Sequence, residues 1–183
     1  MVIGSTRTNR ICPEIAAWVL RTASVGSPLQ YSLIDLAEVD LPFLDEPLKP
    51  ALGGYQHAHT RAWSRLVTSL DAFIFVFPQY NWGYPAPLKN ALDFLYAEWR
   101  DKPAGLVTYG TRGGARAASQ LREVLQGLHM QALDDGVELM IADTDVDGQG
   151  QLLDLGSTFG RFSDAVRALD SQLVEYLVDS QEA

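Results

Sequence analysis

Residues 72–77 read Ala-Phe-Ile-Phe-Val-Phe, six apolar side chains with no polar interruption. A strand wetted on one face alternates polar and apolar residues, so an unbroken β-branched and aromatic run must be covered on both faces. Six residues also fall far short of the roughly 20 that cross a bilayer as a helix. The run predicts the central strand of a parallel sheet with helices on both sides, and the flanking sequence is written to match. Residues 1–3 are an apolar stub that ends at Gly4. Pro13 and Glu14 open a helix to about Ala23, because proline suits the first turn and an acid suits the positive end of the dipole. Residues 31–36 read as a second strand, and a long acidic, proline-containing connection follows over 37–54. A helix over 58–70 leads into the central run.

The second half repeats the rhythm. Leu88, Ala91, Leu92 and Leu95 stand at helical spacing within residues 87–96. Residues 104–109 form a fourth strand, and 115–130 a helix with Leu121, Val124, Leu125 and Leu128 on one stripe. A fifth strand spans 137–141 and a closing helix 159–178. Five strands alternating with helices predict one α/β domain over 1–183, a three-layer sandwich with right-handed crossovers. Its ligand site belongs at the carboxyl ends of the strands.

Composition narrows the function. A single cysteine, Cys12, excludes a disulfide framework, a multi-cysteine zinc site and an iron–sulfur cluster. Acidic residues outnumber basic ones 23 to 14, for a net charge of −9. That balance repels nucleic acid. With no membrane-spanning run and no signal peptide in the sequence, the expected setting is the cytoplasm.

Three loops at the carboxyl ends carry unusual chemistry. Residues 4–10, Gly-Ser-Thr-Arg-Thr-Asn-Arg, lie between a strand and a helix N-terminus, where free N–H groups favour an anion. Ser5 and Thr6 add hydroxyls, and Arg7 and Arg10 add fixed charge suited to a phosphate monoester. The G-x-G-x-x-G and G-K-[ST] patterns of dinucleotide and ATP loops are missing. A polar capping loop with solvated arginines is the simpler reading of this loop alone. Residues 78–85, Pro-Gln-Tyr-Asn-Trp-Gly-Tyr-Pro, follow the most buried strand, with three aromatics beside a glycine that allows close backbone approach. They can wall a flat ligand or form an aromatic minicore. Residues 109–114, Tyr-Gly-Thr-Arg-Gly-Gly, can turn their N–H groups into an anion-binding concavity, or simply turn the chain. Together the three loops match the phosphate, planar tricycle and pyrimidine edge of FMN.

The motifs G-S-T-R-x-x-R, here Gly4 to Arg10, and P-Q-Y-N-W-G-Y-P-x-x-L-K-N-A-x-D, here Pro78 to Asp93, make the chain resemble the NAD(P)H-dependent FMN reductases. These are flavodoxin-like quinone, azo-dye and chromate reductases, and the resemblance runs from residue 3 to about 141. It implies a five-stranded parallel sheet of order 2-1-3-4-5, with FMN as cofactor and NADPH or NADH as co-substrate. Ser5, Arg7, Arg10 and Ile11 would hold the phosphate end. Pro78, Gln79, Tyr80, Asn81, Trp82 and Gly83 would flank the isoalloxazine, and Tyr109, Gly110, Gly113 and Gly114 would border its pyrimidine side. It implies a homodimer or homotetramer and ping-pong hydride transfer to a small-molecule acceptor such as a quinone, flavin, azo dye or metal oxyanion. No side chain need act as acid or base. With only residues 1–3 before Gly4, the first strand reads as truncated. A flavodoxin-type electron carrier, or a non-catalytic flavin-binding module, is the alternative.

Other motifs point elsewhere. A receiver domain would end its third strand in aspartate, not Phe77-Pro78, and no G-x-S-x-G supports a serine hydrolase. His57 and His59 read as a solvated helix start, and Cys12 as a small packing residue. Asp143, Asp145, Asp147, Gly148 and Asp154 follow calcium-loop spacing, but a strand precedes them and an acidic solvated loop is the expectation. Finally, Trp82, Tyr84, Phe94, Tyr96 and Trp99 exceed what the inner stripe of residues 87–96 needs. They predict a two-fold dimer in which this helix and the aromatic loop of one subunit close the flavin slot of the other.

Overall fold

A computed structural model describes residues 1–182, with side-chain surroundings through residue 180. The sheet is parallel throughout: β1 (Val2–Ile3), β2 (Ile34–Asp35), β3 (Phe73–Pro78), β4 (Pro103–Gly110), β5 (Gln131–Ala132) and β6 (Val137–Met140). Its order is β2-β1-β3-β4-β5, and β6 also pairs with β4. The expected 2-1-3-4-5 arrangement is therefore present, with its fifth position filled by two short pieces. β5 pairs with the beginning of β4 and β6 with its end. Arg122 bridges the break by donating to the carbonyls of Leu133 and Asp134.

β3 explains why the sheet sits at the centre. Phe73, Phe75 and Phe77 enter one core with Trp63 and Val67 of α3 (Ala58–Thr68), Leu88 and Leu92 of α4 (Ala86–Asp93) and Leu121 and Leu125 of α5 (Ala115–Gly127). Ile74 and Val76 enter the other core, with Ile15 and Val19 of α1 (Cys12–Ala23) and Val166, Leu169 and Leu173 of α7 (Ser163–Glu182). These are the two covering layers the uninterrupted run requires. Gly105 of β4 lets α7 sit close, since a Cβ there would lie 3.0 Å from Leu169. Among the described residues no helix is long and apolar enough to cross a membrane.

Several elements differ from the sequence reading. The second strand shrinks from 31–36 to two residues, because Asp35 accepts the Ala37 N–H at 3.0 Å and starts a helical turn, α2 (Leu36–Val39). β1 is likewise two residues long, as the three residues before Gly4 suggested. α4 stops at Asp93 rather than 96, and α5 at Gly127 rather than 130, where His129 takes a left-handed φ of 59°. The closing helix is two helices, α6 (Leu155–Phe159) and α7, joined by a tighter turn.

The early end of α4 removes Phe94 and Trp99 from the expected dimer face. Beyond Asp93 the chain folds back, and Phe94 and Trp99 are both fully buried. Trp99 packs 5.1 Å from Phe73 and 5.9 Å from Trp63, and its Nε1–H donates to the Leu92 carbonyl at 3.1 Å. Tyr96 is half-buried against His129. Phe94 and Trp99 belong to this chain's own core, with Tyr84 and Tyr96 packed against it, whereas Trp82 stays exposed.

Candidate active site

The loop after β1 enters under tight constraint. A Cβ on Gly4 would lie 3.0 Å from Phe77 Cβ, and the Gly4 N–H donates to the Val76 carbonyl at 2.9 Å. Ser5 is buried and shares a 2.8 Å hydrogen bond with the Tyr80 hydroxyl, tying this loop to the one after β3. Arg7, Thr8 and Asn9 are exposed. Ile11 is buried at the start of α1, so it offers its backbone and not its side chain to a ligand. No side chain caps α1, and Pro13 occupies its first turn. The first turn therefore keeps N–H groups and a positive dipole end directed out of the sheet edge, beside Arg7.

Arg10 behaves differently from Arg7. Its Nη2 is ion-paired with Asp35 Oδ2 at the end of β2. The charge that the sequence offered to a phosphate is already balanced. Its Nε is buried without a hydrogen-bond partner. The unbalanced guanidinium of this loop is Arg7.

The loop after β3 is a hairpin turn. Tyr80 and Gly83 exchange reciprocal N–H···O=C bonds of 2.8 Å, and Asn81 and Trp82 between them have φ of 47° and 72°. Two consecutive left-handed residues are the signature of a type I′ turn, costly for a residue as bulky as tryptophan. The turn pushes Trp82 outward, where it is 59% exposed. Pro78 is buried as the last residue of β3, paired with Tyr109. Gln79 turns toward α5, where its Oε1 accepts the Ala117 N–H at 3.2 Å. Gln79 is thus the cap of a helix whose own N-cap, Gly114, has no side chain to offer.

The loop after β4 needs its glycines. Gly113 and Gly114 have φ of 77° and 127°, and a Cβ on Gly114 would fall 2.7 Å from Thr108 Cβ. A Cβ on Gly113 would meet the Glu138 carboxylate at 2.8 Å. Thr108 Oγ1 is buried there without a partner. Tyr109 is buried, and burial with the Cys12 thiol beside it pushes its hydroxyl pKa far up. Cys12 is itself raised by burial, and its Sγ–H points at the Val76 carbonyl at 3.3 Å. In both groups burial favours the protonated form.

The three loops follow adjacent strands, β1, β3 and β4, and are cross-linked by Ser5–Tyr80 and Gln79–Ala117. Two residues absent from the sequence reading complete the edge. Asp35 neutralises Arg10, and Arg116, in the first turn of α5, stacks its guanidinium 3.6 Å above the Trp82 ring. Only its position just after the glycine loop marked Arg116 in the sequence. Beside Thr6 a cleft of about 410 Å³ is lined by Leu36, Leu41, Phe43 and Pro87.

A family model described as NADPH-dependent FMN reductase matches residues 1–143. The chain belongs to this family. Among its relatives, the NAD(P)H-dependent FMN reductase of Saccharomyces cerevisiae is 46% identical over 144 residues, 73% of this chain and 75% of that protein. The NAD(P)H-dependent FMN reductase of Schizosaccharomyces pombe is 40% identical over 174 residues, 89% and 87% of the two chains. The flavoenzyme NAD(P)H:(acceptor) oxidoreductase of Paracoccus denitrificans superposes with a TM-score of 0.72 over 96% of both chains. At 19% identity that likeness bears on the flavodoxin-like fold alone. Within this FMN reductase, the remaining sequence motifs are structural. Asn90 fastens the 37–54 connection to α4 through Pro42 and Leu44, and Lys89 pairs with Asp93.

The acidic and histidine patterns make bonds within the chain. Asp147 accepts the N–H groups of Gln149 and Gln151, Asp154 caps α6 through Ser157, and His59 pairs with Asp45. Among the described residues no cluster of three or more His, Cys, Asp or Glu is arranged to hold a metal ion.

Proposed function

We propose that this edge of the sheet binds FMN and that the chain is an FMN-dependent NAD(P)H oxidoreductase acting on quinones or similar small acceptors. One observation carries the site assignment. α1 presents an uncapped N-terminus beside Arg7, which has no carboxylate partner among the described residues, at the point where the sheet order reverses between β1 and β3. The groups present suit FMN: the α1 end and Arg7 for a phosphate dianion, an outward aromatic turn for a flat ring, and at Gly110 an open backbone position where a Cβ would meet nothing.

The phosphate is held by Ser5, Arg7 and the Ile11 N–H, while Arg10, paired with Asp35, braces the loop. Residues Pro78, Gln79, Tyr80, Asn81, Trp82 and Gly83 lie along the ring. Tyr109, Gly110, Gly113 and Gly114 border its pyrimidine side, where backbone N–H groups stabilise negative charge without a proton transfer. When bound, the flavin accepts hydride from the nicotinamide and passes electrons to the acceptor. The protein's part is positioning. Tyr109 and Cys12 are too deeply protonated to serve as bases. Two substrates sharing one slot give ping-pong kinetics.

Residues 1–183 act as one domain in the cytoplasm. The chain assembles as a dimer or tetramer, which the 87% exposed Phe43 supports and the buried Trp99 does not. Light scattering decides that last part, and a monomer removes it alone. For the function itself, the purified protein should carry or take up FMN, and NADPH or NADH should bleach its visible spectrum. A protein that stays colourless with added FMN overturns the assignment. Bleaching by dithionite but by neither nicotinamide would make it an electron carrier.

A further inference from the structure

The chain carries a net charge of −9, yet Arg7, Arg112 and Arg116 at this one edge have no carboxylate partner among the described residues. Most lysines and arginines of the chain are likewise unpaired, but these three stand together on one edge and leave positive charge available to anions there. The FMN phosphate uses one, Arg7, at the α1 end. Arg112 and Arg116 stand on the α5 side, beyond Trp82, and are left for a second anion.

Arg116 is held for that task. Its guanidinium lies 3.6 Å above the Trp82 ring, and the Asn81–Trp82 turn fixes that ring in a left-handed conformation. Stacking sets the plane of the guanidinium but consumes none of its five N–H donors. The result is an orientated fork on an exposed rim, with a flat indole beneath it. Arg112, four residues earlier in the glycine loop, is exposed at the same helix end.

NADH and NADPH share the nicotinamide and the diphosphate, and differ only in a 2′-phosphate on the adenosine ribose. A site tells them apart only through groups that meet that phosphate. A planar fork that binds phosphate oxygens in pairs is the side chain suited to it, and a second nearby charge adds to the attraction. We infer that Arg116, assisted by Arg112, binds the 2′-phosphate of NADPH and makes this reductase prefer NADPH to NADH. The inference rests on the FMN site proposed above.

The test has a binding arm and a kinetic arm. Calorimetry on the FMN-loaded protein should show adenosine 2′,5′-bisphosphate binding at least ~10-fold more tightly than AMP, the scale of one charge-assisted bidentate contact. Its binding should quench Trp82 fluorescence. Arg116→Ala should remove most of that difference, Arg112→Ala less, and Arg116→Lys should restore only part, because an ammonium keeps the charge without the fork. The ratio of kcat/KM for NADPH over NADH should fall ~10-fold in Arg116→Ala. Equal affinity of the wild type for the two nucleotides, or an unchanged ratio in Arg116→Ala, overturns the inference while leaving bound FMN and the proposed function intact. Failure to bind FMN overturns the function instead. In that case the nucleotide titration, run on the same protein without flavin, still decides the role of Arg116.

Discussion

The loops after β1 and after β4 look alike in the sequence: each leaves a strand, contains glycine and arginine, and enters a helix. In the structure they do opposite things with the helix they open. α1 has no side-chain cap, so its N–H groups and dipole remain for a ligand. α5 is capped by Gln79, whose carbonyl takes the Ala117 N–H, and a carboxylate, Glu138, lies against Gly113. The arginines invert as well. The first loop spends Arg10 on Asp35 and leaves Arg7 free, whereas the second leaves Arg112 and, through Trp82, orients Arg116. The two glycine-containing turns thus differ in whether the fold has already answered the first-turn N–H groups of the helix they open.

The largest effect expected from breaking this contrast is at Gly114. Alanine there must adopt a φ of 127° with its Cβ 2.7 Å from Thr108. Gly114→Ala should cost about 4 kcal/mol of folding stability in denaturant melts, backbone strain adding to overpacking. A cost below 1 kcal/mol would show that the second loop is not sterically fixed. Next comes Arg10→Ala, which strands a largely buried Asp35. It should lose about 3 kcal/mol of stability and weaken FMN and riboflavin alike. The double variant with Asp35→Ala should recover part of the loss.

Arg7→Ala sharpens the contrast by leaving the fold alone. It should weaken FMN binding by about 1–3 kcal/mol while riboflavin, which lacks the phosphate, is unaffected in fluorescence titrations. Equal losses for the two ligands would make Arg7 structural, like Arg10. The smallest effect is at Gln79. Gln79→Leu removes the α5 cap and should cost about 1 kcal/mol in stability, read by thermal melting. It uncovers a second helix N-terminus, so inorganic phosphate should protect this variant more than the wild type. If it protects both equally, the two helix ends are not distinguished by their caps.

Much of the architecture was legible because it is local. The residue 72–77 run could only be a strand covered twice, and it became β3 with its side chains alternating between the two cores. Pro13 and Glu14 marked the start of α1, and the motif spacing located all three loops on one edge. Boundaries were less legible where a side chain competed with the backbone pattern, as when Asp35 ended β2 by starting a helical turn.

The sequence by itself determined the parallel sheet, its layers, the edge where the three loops gather and the family to which the chain belongs, because hydrophobic period, turn residues and motif spacing act over a few positions. Tertiary structure alone decided which arginine is free, which helix is capped and whether Trp99 faces inward. Those outcomes depend on Arg10 meeting Asp35, Gln79 meeting Ala117, and Trp99 meeting Phe73 and Trp63. The partners lie some 25 to 38 residues apart. A charge or an aromatic ring is visible in a sequence, but the neighbour that neutralises or buries it is chosen by the packing of the sheet.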